Sequence, residues 1–469
     1  MSEKRSILNT KVNVWLLLTI VFLGYWLIVN GSEAVISISS RQWLIFVYLL
    51  TVSILTAQAA WFLYWILFTW NDPEQAEKNK SPKVFLEQKH SFTALLPARN
   101  EEKVIGDTIK AIAKIDYPEE LKELLVLVRG DDQGTIEAAS KTILELKKDN
   151  IKLIIVNDEP INKPNQLNWG LRQARKDIVV IFDAEDQPHP DIYNMANTVF
   201  LKKKIDVLQS GVQLVNFQTK WFSAWNVLEY YFWFKSAMHY FAKCGVVPLG
   251  GNTVFFKRNW LNIAGGWDEN CLTEDAEIGI RLSLLGAKIA IVYDENHATQ
   301  EETPVSTEAF IKQRTRWNQG YMQILMKGDW LKLPSLRQKL LAGYLLILPE
   351  SLTTMSVLSF LMTLAVSSIE MGMEIAMFSF LPMGILIVQI AVYMAALWQF
   401  SRDYKKKFRL WMWPKLVFTF IPYLGVLILG SVRAVWRFMN KNLAWEKTLH
   451  VNAHRAEELR YQDKDYATA

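Results

Sequence analysis

Apolar residues are segregated along this chain: they crowd into the first 70 positions and into residues 340–436, and charge crowds into the stretch between. A membrane protein with a soluble insert shows that split, because lipid accepts only apolar surface and internally satisfied backbone. The apolar run at residues 14–29 follows Lys4, Arg5 and Lys11, and a second run at 43–70 follows at once. A cleaved leader needs a small-residue cleavage site, and Gly31-Ser32-Glu33-Ala34 is a poor one. Residues 1–72 are therefore expected to form a transmembrane hairpin whose basic end stays in the cytosol. Runs at 340–369 and 375–400 are joined without positive charge and are followed by Arg402, Lys405, Lys406, Lys407 and Arg409, a cytosolic marker. The stretch 410–436 holds Pro414 and Pro422, and Arg433, Arg437 and Lys441 lie at its end. A full crossing would carry those cations outward, so a re-entrant or broken hairpin is expected there. The apolar region then closes at 436 and leaves a cytosolic tail, 437–469.

Composition narrows the soluble part. The 19 Trp residues suit a bilayer border, where an indole pairs an apolar body with one polar N–H. A net charge of +5 is modest, and the lysines gather at membrane borders and not in an aromatic-laced stripe, which argues against a nucleic-acid partner. Cys244 and Cys271 form no CxxC and no disulfide framework, so they read as buried thiols in a reducing compartment.

From 73 to 333 short apolar strands alternate with amphipathic helices, the pattern of an α/β domain. Strands are expected at 92–96, ended by Pro97, and at 124–128, 152–156 and 177–182. Polar and acidic residues recur just past these strands, at Gly130-Asp131-Asp132 and Asp183-Ala184-Glu185-Asp186, and that rim is where open α/β sheets hold ligands. No GxGxxG and no GxxxxGK[ST] is present, so dinucleotide and P-loop readings lose their support.

Three groups carry chemistry. Asp183, Glu185 and Asp186 offer carboxylate oxygens on one turn, which a hard cation such as Mg2+ or Mn2+ requires; a solvated acidic loop is the plain alternative. Thr273-Glu274-Asp275 opens a helix, where a carboxylate caps the helix and can also serve as a general base. Gln313, Arg316 and Trp317 project from one side of a helix, joining a phosphate-binding fork to a flat face for a sugar; an Arg/Trp membrane anchor would look the same.

Together these motifs resemble the family 2 glycosyltransferases of the GT-A fold, in the membrane-embedded branch with cellulose, hyaluronan and poly-N-acetylglucosamine synthases. The resemblance covers about 260 residues, with the motifs in family order. Pro97-Ala98-Arg99-Asn100-Glu101 matches the nucleobase-binding end of the first strand, and Asp132 the second-strand aspartate. Lys163 matches the lysine near the donor diphosphate, Asp183 to Asp186 the DxD metal motif, Thr273-Glu274-Asp275 the TED motif with Asp275 as base, and Gln313 to Trp317 the Q(Q/R)xRW motif. Two spellings depart from the pattern: Glu185 stands where a second metal aspartate is usual, and Arg129 to Thr135 is loose. The DAED spelling and Trp445-Glu446-Lys447-Thr448 are most similar to the bacterial subgroup of the phage N4 adsorption protein B.

The resemblance implies a cytosolic GT-A domain, 73–333, inserted between transmembrane helices, with interfacial helices near 217–243 and 308–339. It implies donor binding by Pro97, Arg99, Glu101, Asp132, Lys163, Asp183 and Arg316, and acceptor binding by Gln313 and Trp317. Catalysis would fall to Asp275 with Glu274, and metal binding to Asp183, Glu185 and Asp186. It further implies a UDP-sugar donor, a glycan or lipid acceptor, and a bacterial inner or plasma membrane. The expected reaction extends a polysaccharide; a single transfer to a membrane lipid is the alternative. The aromatic stretch 221–240 is expected at the membrane surface or in the core, and the six histidines are assigned nothing.

Overall fold

The computed structural model describes residues 40–367, 372–446 and 455. The expected first span, 14–29, and most of the tail lie outside these residues. Four helices are long and apolar enough to cross a membrane: 41–71, 336–366, 373–403 and 412–439. The chain divides into two compact units, Met1–Trp61 with Ser351–Val388, and Phe62–Glu350 with Gln389–Ala469.

The first unit is helical. Tyr48, Val52 and Val366 bury one another with Leu44 and Met362 alongside, and Gln58 Nε2 donates to Ser351 Oγ at 2.5 Å. Phe46, Phe360 and Ile387 of this unit are exposed.

The second unit holds a seven-stranded sheet in the order β3-β2-β1-β4-β7-β5-β8. Its strands are β1 (Phe92–Ala98), β2 (Lys122–Arg129), β3 (Ile151–Val156), β4 (Ile178–Ile181), β5 (Val207–Ser210), β7 (Val254–Lys257) and β8 (Ile289–Val292). A short parallel pair, β6 (Val212–Leu214) and β9 (Thr299–Glu301), stands beside it. Strands β1 to β4 are parallel, and β7 runs antiparallel between β4 and β5. Every residue of β1 is buried, as both faces of a central parallel strand must be. Leu95, Leu125 and Val179 face one core, and Ala94, Val126 and Val180 the other, the period-two alternation of a pleated sheet. The first core continues into Ile66, Tyr393, Phe400 and Leu416, so the domain shares its interior with the apolar helices.

Three expectations meet the structure here, and the first two need correction. Pro97 does not end β1, which runs on to Ala98 beside β2. Leu95 O accepts from Phe182 N at 3.1 Å, so the missing Pro97 N–H falls on the β4 side, where β4 has already ended. Second, residues 410–436 form no broken hairpin: one helix spans Met412–Met439 with Pro422 inside it. Third, the aromatic stretch is mostly core. Phe222, Trp225, Tyr231, Phe232, Phe234 and Tyr240 are buried; Trp225 stacks on Tyr423 and donates to Thr419 Oγ1 at 3.0 Å. Cys244 and Cys271 are both free and buried.

Candidate active site

The order β3-β2-β1-β4 reverses direction at β1, and the crevice beyond the carboxyl ends of β1 and β4 is the switch point of the sheet. Pro97 to Glu101 leave one side of it and residues 182–186 the other. Helix α1 (Gln133–Leu146) is capped by Asp132, whose carboxylate accepts from Thr135 N at 3.2 Å and also from Asn100 N. Asp132 thus ties the β1 and β2 loops together, with Asn100 at a φ of 51°. Arg99 lies 3.5 Å from Asp131, and Glu101 is buried with its N–H donating to Thr135 Oγ1.

Helix α2 (Lys163–Gln173) starts at an Asn162 cap, with Pro164 in its first turn. That start sends Lys163 toward β4, where its Nζ pairs with Asp183, donates to Gly251 O at 2.9 Å and lies 4.0 Å from Glu274. Burial works against the Lys163 charge, but Asp183 and Glu274 outweigh it and hold the ammonium.

Asp183, Glu185 and Glu301 bring one carboxylate oxygen each to within 4.8 Å of one another. All-oxygen donors of this charge fit Mg2+ or Mn2+, whose remaining positions phosphates and water can fill. Asp186 does not join them. Its carboxylate is fully buried, accepting from Asp183 N at 2.8 Å and Asn252 Nδ2 at 2.7 Å, so it shapes the turn that presents its neighbours. Burial, then Glu301 and Asp183, push its carboxyl well above the usual range. Asn252 also donates to Glu301.

Helix α3 (Glu274–Leu284) opens with Thr273 as its capping residue, and Asp275 Oδ1 accepts from Ala276 N at 2.8 Å. Burial raises the Glu274 carboxyl to about 7, Lys163 opposing and Asp275 reinforcing. Burial raises Asp275 too, against the Ala276 N–H, Lys163 and Arg316. A methyl group on Gly251 would stand 3.2 Å from Asp275 Oδ2 and 3.5 Å from Lys163 Nζ, which measures how closely that backbone approaches the charged centre.

Helix α4 (Thr307–Lys327), capped by Ser306 and closed by left-handed Gly328, packs on the TED turn. Gln323 Oε1 accepts from Leu272 N at 2.8 Å, and a Cβ at Gly320 would overlap Thr273, 2.2 Å from its Oγ1. One turn before Gly320, Arg316 is close enough to act on both carboxyls, and its Nε is buried without a partner among the described residues. Arg314 does a different job: it pairs with Glu229 and lies 4.6 Å over the Trp317 ring, which it steadies beside Tyr230. Gln313 Oε1 is buried and unpartnered among the described residues.

Of the residues named from motifs, Lys163, Asp183, Glu274, Asp275 and Arg316 meet, drawn from one loop and three helices, and Asp186 turns inward. Glu301, Gly251 and Asn252 escaped sequence reading. Glu301 lies over 110 residues from Asp183 in no recognisable motif; only the Gly250-Gly251 pair hinted at a close backbone approach.

A mixed sheet with acidic and basic groups meeting at its switch point defines a GT-A-type glycosyltransferase. Residues 90–320 match the pattern described as "Glycosyltransferase like family 2". Residues 90–320 are thus similar to a family 2 glycosyltransferase domain, and the relatives that match over this stretch bear glycosyltransferase or synthase names. It is 26% identical over 275 residues to the probable glycosyltransferase YdaM of Bacillus subtilis, a match covering 57% of this chain and 62% of that one. It is 29% identical over 245 residues to beta-monoglucosyldiacylglycerol synthase of Synechocystis sp., covering 50% and 49%. With the poly-beta-1,6-N-acetyl-D-glucosamine synthase of Staphylococcus aureus it shares 26% over 273 residues, 56% and 64%. The chain thus spans less than two thirds of the length of these relatives. A mannosyltransferase from Pyrobaculum calidifontis, solved in complex with GDP-Man and Mn2+, shares the fold: TM-score 0.57, 20% identity, 83% of this chain and 99% of that one.

Proposed function

We propose that this chain is an inverting, metal-dependent transferase that moves a sugar from a nucleotide-diphosphate donor, a UDP-sugar, onto a growing polysaccharide passed across the membrane. The observation that carries this reading is the meeting of Asp183, Glu185, Glu301 and Lys163 with Glu274 and Asp275 at one crevice.

In the proposed reaction Asp275 takes the proton of an acceptor hydroxyl as its oxygen attacks the anomeric carbon and the bond to the diphosphate oxygen breaks behind it. Lys163 and Arg316 offset charge on the departing diphosphate, and Arg316 Nε, without a partner among the described residues, is the donor such an anion would use. Asp183, Glu185 and Glu301 would hold Mg2+ or Mn2+, which would supply further positive charge there. Pro97, Arg99 and Glu101, on the loop that Asp132 ties down, hold the nucleobase. Trp317 and Gln313 take the acceptor. The catalytic domain, 73–333, faces the cytosol of a bacterial inner membrane, and the helices at 336–439 carry the product across.

Addition of one sugar to a membrane lipid is the second reading, favoured by the 29% identity to a beta-monoglucosyldiacylglycerol synthase. The test screens UDP-, GDP- and ADP-sugars for nucleotide release by purified chain, then sizes the labelled product. A polymer ladder from a UDP-sugar supports the first reading and a single lipid-linked sugar the second. Asp275→Asn should lose about 1,000-fold in turnover while still binding nucleotide; equal loss of both would remove Asp275 as base.

A further inference from the structure

The segments that supply Glu185 and Glu301 are joined by an antiparallel bridge, Gln187 to Gln300, with N–H···O bonds of 3.1 and 3.2 Å in both directions. On one side of this bridge stand the acidic side chains. On the other, two residues past Gln187 and three before Gln300, stand His189 and His297. Their rings meet edge to face at 4.7 Å, and Asp191 completes the group. One ligand atom from each of His189, Asp191 and His297 lies within 4.8 Å of the others.

We propose that His189, Asp191 and His297 form a second metal site, selective for Zn2+, that clamps the two segments presenting the catalytic carboxylates. Three atoms no more than 4.8 Å apart lie within about 2.8 Å of a common point, so each must close by only about 0.8 Å to reach zinc-ligand distance. Two imidazoles and one carboxylate suit Zn2+ and its borderline neighbours better than Mg2+, which takes oxygen ligands.

The surroundings are those of a built site. Asp191 N donates to His189 Nδ1 at 3.1 Å, a bond that a metal on this nitrogen would replace, with Asp191 Oδ2 3.9 Å away. Asp294 Oδ1 lies 3.8 Å from His297 Nδ1, within ion-pair range and beyond hydrogen-bond length, so its charge faces that nitrogen and leaves Nε2 for a metal. Asp294 is itself anchored, accepting from Ser81 N at 3.3 Å and from Asn296 N at 3.0 Å.

The test titrates tag-free, full-length chain in detergent with Co2+, read by its visible ligand-field absorption, and then displaces it with Zn2+. One Co2+ per chain should bind and yield to Zn2+. His189→Ala and His297→Ala should each weaken uptake by about 100-fold or more, and Asp183→Asn should leave it intact. Asp294→Asn keeps all three ligands, guards against misfolding of the histidine variants, and should weaken binding by about 10- to 100-fold. Failure of Co2+ to bind, binding by the histidine variants as tight as the parent's, or loss on Asp183→Asn would each overturn the site. No sugar nucleotide enters the assay, so its outcome is separate from that of the transferase reading.

Discussion

Glu301 escaped the sequence spelling, and Glu274, named there beside Asp275, takes on a raised carboxyl that only the fold gives it. Glu301 shares the acidic cluster with Asp183 and Glu185, so replacing its charge removes one of three carboxylates from the cation. Glu301→Gln keeps an oxygen for Asn252 and should raise the Mn2+ concentration for half-maximal activity at least about tenfold. An unchanged Mn2+ requirement would place the cation elsewhere. Glu274 is raised from its ordinary 4.5 to about 7, so the folded chain binds its proton more tightly than the unfolded chain does. Its stabilising contribution is then complete below pH 4.5 and lost as pH rises through about 7, on the order of 3 kcal/mol. In Glu274→Gln that component is absent, and the thermal midpoint of metal-free protein should fall less between pH 5 and 8 than in the parent. Parallel profiles would show that Glu274 titrates normally. Most motif residues were legible because they sit just past a strand or at a helix start, positions readable from local pattern, and Gln313, Arg316 and Trp317 because they share one side of a helix. Asp186 stands apart from the other carboxylates for a reason no local pattern holds: its oxygens are taken by Asp183 N and Asn252, and Asn252 lies 66 residues further on.

Among the elements, α4 carries the most responsibility. It brings Arg316 and Trp317 to the crevice because Gly320 lets it lie flat on the TED turn. Gly430 of the helix Met412–Met439 does the same on its other side, where a Cβ would stand 2.9 Å from Arg314 Cβ. Gly320→Ala therefore separates two physical effects. Helix propensity alone would stabilise the chain by about 1 kcal/mol. Overlap with Thr273 Oγ1 and backbone N should instead destabilise by about 1–3 kcal/mol and cut transfer along with it. A raised unfolding midpoint with full activity would mean that α4 is not seated on this turn. The four strands expected from sequence fall within a few residues of β1 to β4, because buried runs ending in turn residues mark themselves; β5 to β9 were not read. Pro97 and Pro422 were over-read. Proline ends an element only where its missing N–H or its ring conflicts with a neighbour, and at Pro97 the neighbouring strand has already stopped.

At the scale of the molecule, the catalytic domain is built into its apolar helices and not hung from them. Lys235 shows how: its Nζ donates to Glu295 Oε1 at 2.6 Å and Tyr231 Oη at 2.6 Å, and reaches Asp403 Oδ2 at 3.3 Å, joining domain to helix end within one unit. The chain's own residues determined the division into apolar helices and an α/β domain, the order of the motifs and the resemblance to family 2 transferases, since hydrophobic segregation, strand-end polarity and helix caps act over a few residues. Tertiary structure alone decided that Glu301 joins Asp183 and Glu185, that Asp186 turns inward, and that His189 meets His297. Those are encounters between segments distant in sequence, made by sheet order and by a single bridge at Gln187 and Gln300, and periodicity along one chain carries no record of which strand end will face which.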